Sequence, residues 1–107
     1  MTAFDFGTGP VPAHQHPNGG GWVADTATVS ETAYVGPNAR VFDNAKVFPL
    51  ARVSGNAHVS DNARVSGNAH VSGNAKVFGN AEVEGNAVVE GNAVVSGDAV
   101  VSGDAYD

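Results

Sequence analysis

The chain has 107 residues and a formal net charge of −6, which gives room for one domain and argues against general affinity for nucleic acid, since that needs a positive surface to displace counterions. With 14 Gly, one Met and a single leucine, it has few large side chains for a broad core, and a thin, elongated core is the better match. There is no cysteine, so disulfides and thiolate metal sites are excluded.

Residues 1–21 come first. Met1-Thr2-Ala3-Phe4-Asp5-Phe6-Gly7 lacks the basic and apolar regions of a secretory signal, and no apolar run approaches membrane-spanning length. The expectation is synthesis in a bacterial cytoplasm with no membrane partner. Phe4, Phe6, Pro10, Pro12 and Pro17, with three glycines before Trp22, predict an irregular capping or docking segment that covers the first coil and packs on Trp22. Within it, His14-Gln15-His16 alternates, which would place both imidazoles on one side of an extended strand, a geometry suited to two metal ligands. The reading adopted is a polar segment without metal.

From Trp22 to Asp107 the chain obeys a period of six. Valine recurs at 23, 29, 35, 41 and so on to 101, and alanine stands two residues before each valine from Ala27 to Ala99. Apolar positions spaced by six would drift around an α-helix. In a short strand, Ala and Val point to one face and their neighbours to the other, and Gly-Asn turns the corner because both tolerate positive φ. Stacked coils bury the apolar face. Three hexapeptides per coil give an all-β, single-stranded parallel β-helix of about 4.7 coils, roughly 23 Å long at the usual strand spacing.

An 18-residue rung brings outward residues into columns. The expected ladders are Trp22/Arg40/His58/Lys76/Val94, Thr28/Lys46/Arg64/Glu82/Val100 and Tyr34/Arg52/His70/Val88/Tyr106. All five basic residues, Arg40, Lys46, Arg52, Arg64 and Lys76, fall in one band around the middle, while Glu82, Glu84, Glu90, Asp98, Asp104 and Asp107 crowd the last coils. A solvated surface is the plain reading; docking of the basic band on an acidic neighbour is the sharper one. The corner column Asn38/Asn56/Asn74/Asn92 predicts amides hydrogen-bonded from rung to rung.

One corner breaks the rule. Phe48-Pro49-Leu50-Ala51 puts Pro and Leu where Gly and Asn belong. Phe42 and Phe78 also take outward slots, and Val88, Val94 and Val100 replace charge on the last coil, one on each face. A β-helix end is an open edge, so these residues, with Phe48, Leu50 and Tyr106, are the expected interface, most simply in a homotrimer.

The pattern aliphatic-x-x-x-small-x resembles the hexapeptide-repeat proteins, and this resemblance implies a left-handed winding. More narrowly, His14-Gln15-His16-Pro17-Asn18-Gly19-Gly20-Gly21-Trp22-Val23-Ala24-Asp25-Thr26-Ala27, followed by Ala33-Tyr34-Val35-Gly36-Pro37, looks like short hexapeptide-repeat proteins of tailed phages and prophages. It implies a place in a virion beside other structural proteins.

Hexapeptide-repeat proteins also include acyltransferases and γ-type carbonic anhydrases. The resemblance would require an excursion loop and C-terminal helix for the first, and three histidines on a shared zinc for the second. No such loop or helix is expected after Trp22. His58 and His70, twelve residues apart, would sit on different faces of one stack and could meet only between subunits. The expectation is therefore a non-enzymatic structural or adhesive module without cofactor or catalytic residue. The alternative is an enzyme with an inter-subunit site at those two histidines.

Overall fold

Alanine and valine two residues apart give each short strand one apolar face, and the residues that follow let the chain turn before the next. In a computed structural model, which describes residues 2–7 and 9–102, this unit repeats along the chain, with no helix among the described residues. Strands β1 (Ala3–Asp5) and β2 (Pro10–Gln15) precede the repeat. A first turn holds β3 (Trp22–Ala24), β4 (Thr28–Val29) and β5 (Tyr34–Val35), and a second holds β6 (Arg40–Val41), β7 (Lys46–Val47) and β8 (Arg52–Val53). The third comprises β9 (His58–Val59), β10 (Arg64–Val65) and β11 (His70–Val71), and the fourth β12 (Lys76–Val77), β13 (Glu82–Val83) and β14 (Val88–Val89). Strands β15 (Val94–Val95) and β16 (Val100–Val101) follow.

Three parallel sheets run the length of this β-solenoid. They are β3-β6-β9-β12-β15, β4-β7-β10-β13-β16 and β5-β8-β11-β14. The register is the expected one: Val41 lies on Val59, and Val59 on Val77. Every inward valine of the six-residue series from Val53 to Val89 and every alanine from Ala33 to Ala87 is fully buried. Each buried valine is worth about 1.5–3 kcal/mol relative to exposure, so the narrow core gains stability by repetition. The backbone ladder does not stop at the corners. Asn56, Asn68 and Asn74 donate their amide N–H to the carbonyls of Gly73, Gly85 and Gly91 in the next turn, at 2.7–2.8 Å.

At the corners, positive φ falls on the residue before asparagine and not on asparagine itself. Gly55, Gly67, Gly73, Gly79, Gly85, Gly91 and Gly97 have φ of 62–70°, and no Asn joins them. With Ala57 N–H bonded to Ser54 C=O, the Gly-Asn corner has the signature of a type II′ turn. The Phe48-Pro49-Leu50-Ala51 corner keeps the same closing bond, from Ala51 N–H to Phe48 C=O. Proline cannot take positive φ, so the left-handed residue moves one place on, to Leu50 at φ 74°. The corner becomes type II, with Pro at its preferred place.

The amide ladders form, but later than the sequence suggests. Asn56 Nδ2 donates to Asn74 Oδ1 and Asn74 Nδ2 to Asn92 Oδ1, at 3.3 and 3.4 Å. Asn62-Asn80-Asp98 and Asn68-Asn86 repeat the arrangement. Asn38 is not bonded to Asn56 in this way; it follows Pro37 in a turn without positive φ, so its amide leaves the column.

Residues 1–21, expected to be irregular, contribute the two strands β1 and β2. These form an antiparallel pair, and β2 adds antiparallel to β3, extending the first sheet to seven strands. Pro10 is the first residue of β2, a place where a missing N–H is tolerated, and Pro12 takes part through its carbonyl, which accepts from Asp25 N–H at 2.9 Å. Phe4 stacks on Trp22 with centroids 4.7 Å apart, as the expected packing on Trp22 required. The longest dimension reaches 39 Å, since the hairpin adds to the coils.

Candidate interaction surfaces

The register turns sequence spacing into surface columns. The first sheet presents Trp22, Arg40, His58, Lys76 and Val94 on successive strands. The second presents Thr28, Lys46, Arg64, Glu82 and Val100, and the third Tyr34, Arg52, His70 and Val88. Tyr106, expected to complete the third, lies outside the described residues, as do Asp104 and Asp107.

Arg40, Lys46, Arg52, Arg64 and Lys76 thus form a belt that touches all three sheets. Among the described residues none of them makes an ion pair; the single close pair of opposite type is His14 Nδ1 with Asp25 Oδ1, 2.8 Å apart. The belt also contains two acids that lie outside the strand columns. Asp43 and Asp61 occupy the glycine slot of their corners, with φ of 58° and 56°. Asp61 N–H donates to Asp43 Oδ2 at 3.4 Å, and Gly79 N–H to Asp61 Oδ2 at 3.1 Å. These carboxylates tie one turn to the next. The signal was present in the sequence as Asp-Asn standing for Gly-Asn.

His58 lies between Arg40 and Lys76 on adjacent strands. Its pKa is lowered from 6.5, first by burial and then by the charges of Arg40 and Lys76. The Phe42 ring meets it edge-on at 6.1 Å. His70 lies on the third sheet, so the two histidines face different directions, as their spacing requires.

His14 and His16 do not converge. Strand β2 ends at Gln15, and a turn closed by Gly20 N–H on His16 C=O reverses the chain. The His16 ring is turned inward, 3% exposed, and its Nε2–H donates to Ala33 C=O at 2.8 Å. His14 stays outside on Asp25. The alternation that would have aligned two ligands ends one residue too early. Among the described residues no three His, Asp or Glu side chains converge as a metal site.

The apolar residues divide. Phe42 is stacked by Phe6 of the N-terminal segment at 4.9 Å, so the chain itself covers part of the expected interface. Phe78 and Val88 are half-buried. Phe48, Leu50 (64% exposed), Val94 (51%) and Val100 (57%) stand free of such cover. Beside Leu50, a depression of about 380 Å³ is lined by Tyr34, Arg52, Asn68 and His70, all of them groups that can donate hydrogen bonds.

Residues 57–73 match the family model of the YdcK beta solenoid repeat. The fold is a repeat β-helix. The matched stretch holds β9, β10 and β11, one full turn of this stack. No curated protein and no solved structure matches the chain.

Proposed function

We propose that this β-helix is a non-enzymatic structural and adhesive module, a stiff rod that holds neighbouring proteins at fixed spacing. The observation that carries the reading is the basic belt: five cations distributed over three flat faces, without an ion pair among the described residues. The ladder of short strands fixes the spacing of the backbone positions that carry these charges, so an acidic neighbour meets a basic pattern of constant repeat. The rungs supply the mechanics, since each turn is bonded to the next along the strands and through the corners. Resemblance to phage hexapeptide proteins suggests a virion appendage or decoration as the setting.

Location tests this. Purified particles from a producing strain, probed quantitatively for the chain, should contain a constant number of copies each. A chain found wholly in the soluble fraction, with none in particles, would refute the virion setting. Retention of acidic partner proteins on the wild-type chain, lost when the five basic residues are neutralised, is expected of the adhesive role. Equal retention by both would refute it.

A further inference from the structure

The second sheet differs from the other two in one respect. Its strand column carries both signs of charge: Lys46 on β7, Arg64 on β10 and Glu82 on β13. The first sheet shows only cations in that column, and the third shows Arg52 and His70 without an acid. Glu84 follows Glu82 on the same face two residues on, and the exposed Phe48 and Val100 lie beside β7 and on β16. Arg64 and Glu82 are neighbours across β10 and β13, yet they form no ion pair. Both remain available to a partner.

Two copies can meet across this face in two ways. With axes parallel, as in a threefold bundle, turns at equal height face each other: Lys46 and Arg64 oppose the basic residues of another sheet, and only the fourth turn, where Glu82 can meet Lys76, offers an opposite pair. With axes antiparallel, a dyad running along the strands between β10 and β13 reverses the order of the turns. Arg64 then faces Glu82 of the second copy, and Glu82 faces its Arg64. Lys46 and Phe48 come opposite the turn that carries Val100.

We infer that this chain pairs with a second copy of itself through the β4-β7-β10-β13-β16 face, antiparallel, with Arg64 of each copy on Glu82 of the other. The arrangement is isologous and closes on itself. It rests on the distribution of charge over the faces and is independent of where the protein resides. A face of five short strands is small beside the roughly 800 Å² per partner of a standard interface, so the pair is reversible and weakened by salt.

Sedimentation of the purified chain at low ionic strength should show a reversible monomer–dimer equilibrium around its 10.8 kDa monomer, shifted to monomer by molar salt. Arg64→Glu or Glu82→Arg alone places like charges together and should weaken pairing by about tenfold or more. Mixing the two single variants restores both contacts in a heterodimer, which reports that each is still folded. A monomer at every concentration, a threefold mass, or a mixture that fails to pair would overturn the inference.

Discussion

Gly73 lies directly against Gly91 of the next turn, so that a Cβ on Gly73 would stand 2.8 Å from the Gly91 amide nitrogen. Two demands meet at this corner: φ of 66°, and no room for a side chain against the neighbouring backbone. The first costs about 1–2 kcal/mol for an L-residue. The second cannot be relieved by rotating a side chain, because the obstacle is backbone.

Gly97 separates the two demands. Its φ is 63°, but a Cβ there meets nothing within 4 Å. Gly97→Ala should therefore cost only the conformational penalty, about 1–2 kcal/mol, and Gly73→Ala clearly more. Chemical denaturation of both variants checks this, and equal losses would show that the corners part freely.

Leu50 carries positive φ without being glycine, and its side chain is 64% exposed. Little burial is lost by changing it, whereas asparagine tolerates the left-handed region better than leucine. Leu50→Asn is expected to raise stability by about 0.5–1 kcal/mol, seen as a higher midpoint. A lower midpoint in the isolated protein would mean that the leucine packs on its own chain.

The contrast between these corners shows what the sequence makes legible. Strict spacing of Val and Ala is enough to derive the short strands and their buried face from side-chain alternation and burial, and the register follows once three hexapeptides are taken to close each coil. It also derives which residues share a column. The hand of winding is another kind of fact: pairing each residue with one 18 positions on is compatible with either hand, so the left hand rests on resemblance alone. Residues 1–21 have no period, so their strands are not legible in the sequence. These strands pair with one another and with β3, and Phe4 and Phe6 pack on Trp22 and Phe42, tertiary contacts that no local pattern encodes. The fate of His16 follows from where β2 ends, and that end is fixed by a turn closed five residues downstream.

The pH response of the stack should pass through His58. In the unfolded chain its imidazole takes up a proton near the ordinary 6.5; in the folded chain it does so only at lower pH. The groups that face it are Arg40 on β6 and Lys76 on β12, whose charges oppose a further positive charge, and the Phe42 ring, which meets it edge-on. Between the two pKa values the unfolded state binds more protons. The stability linked to neutral His58 is thus fully present above 6.5 and is lost as pH falls through the lowered folded value. Denaturation midpoints of wild type and His58→Gln, measured from neutral to mildly acidic pH, should diverge in that window, with the variant showing the smaller slope. Parallel curves would rule out His58 as the source.

The N-terminal hairpin is held to the stack by aromatic contacts. Phe4 lies flat on Trp22 at 4.7 Å and 17°, meets Phe6 edge-on at 4.8 Å, and carries the Arg40 guanidinium 5.0 Å above its ring. Each aromatic pair is worth about 0.5–1.5 kcal/mol beyond area burial, and a cation over a half-exposed ring about 0.5–1 kcal/mol. Phe4→Ala removes all three, and the expected loss is on the order of 2 kcal/mol. Trp22 is the only tryptophan, so its emission should shift to longer wavelength as the covering ring is lost, reporting this site alone. Phe4→Leu keeps much of the apolar area but neither the stacking nor the cation–π contact, and should fall between. If the emission of Phe4→Ala matches wild type, the hairpin is held by its backbone pairing with β3, and the aromatic contacts are incidental.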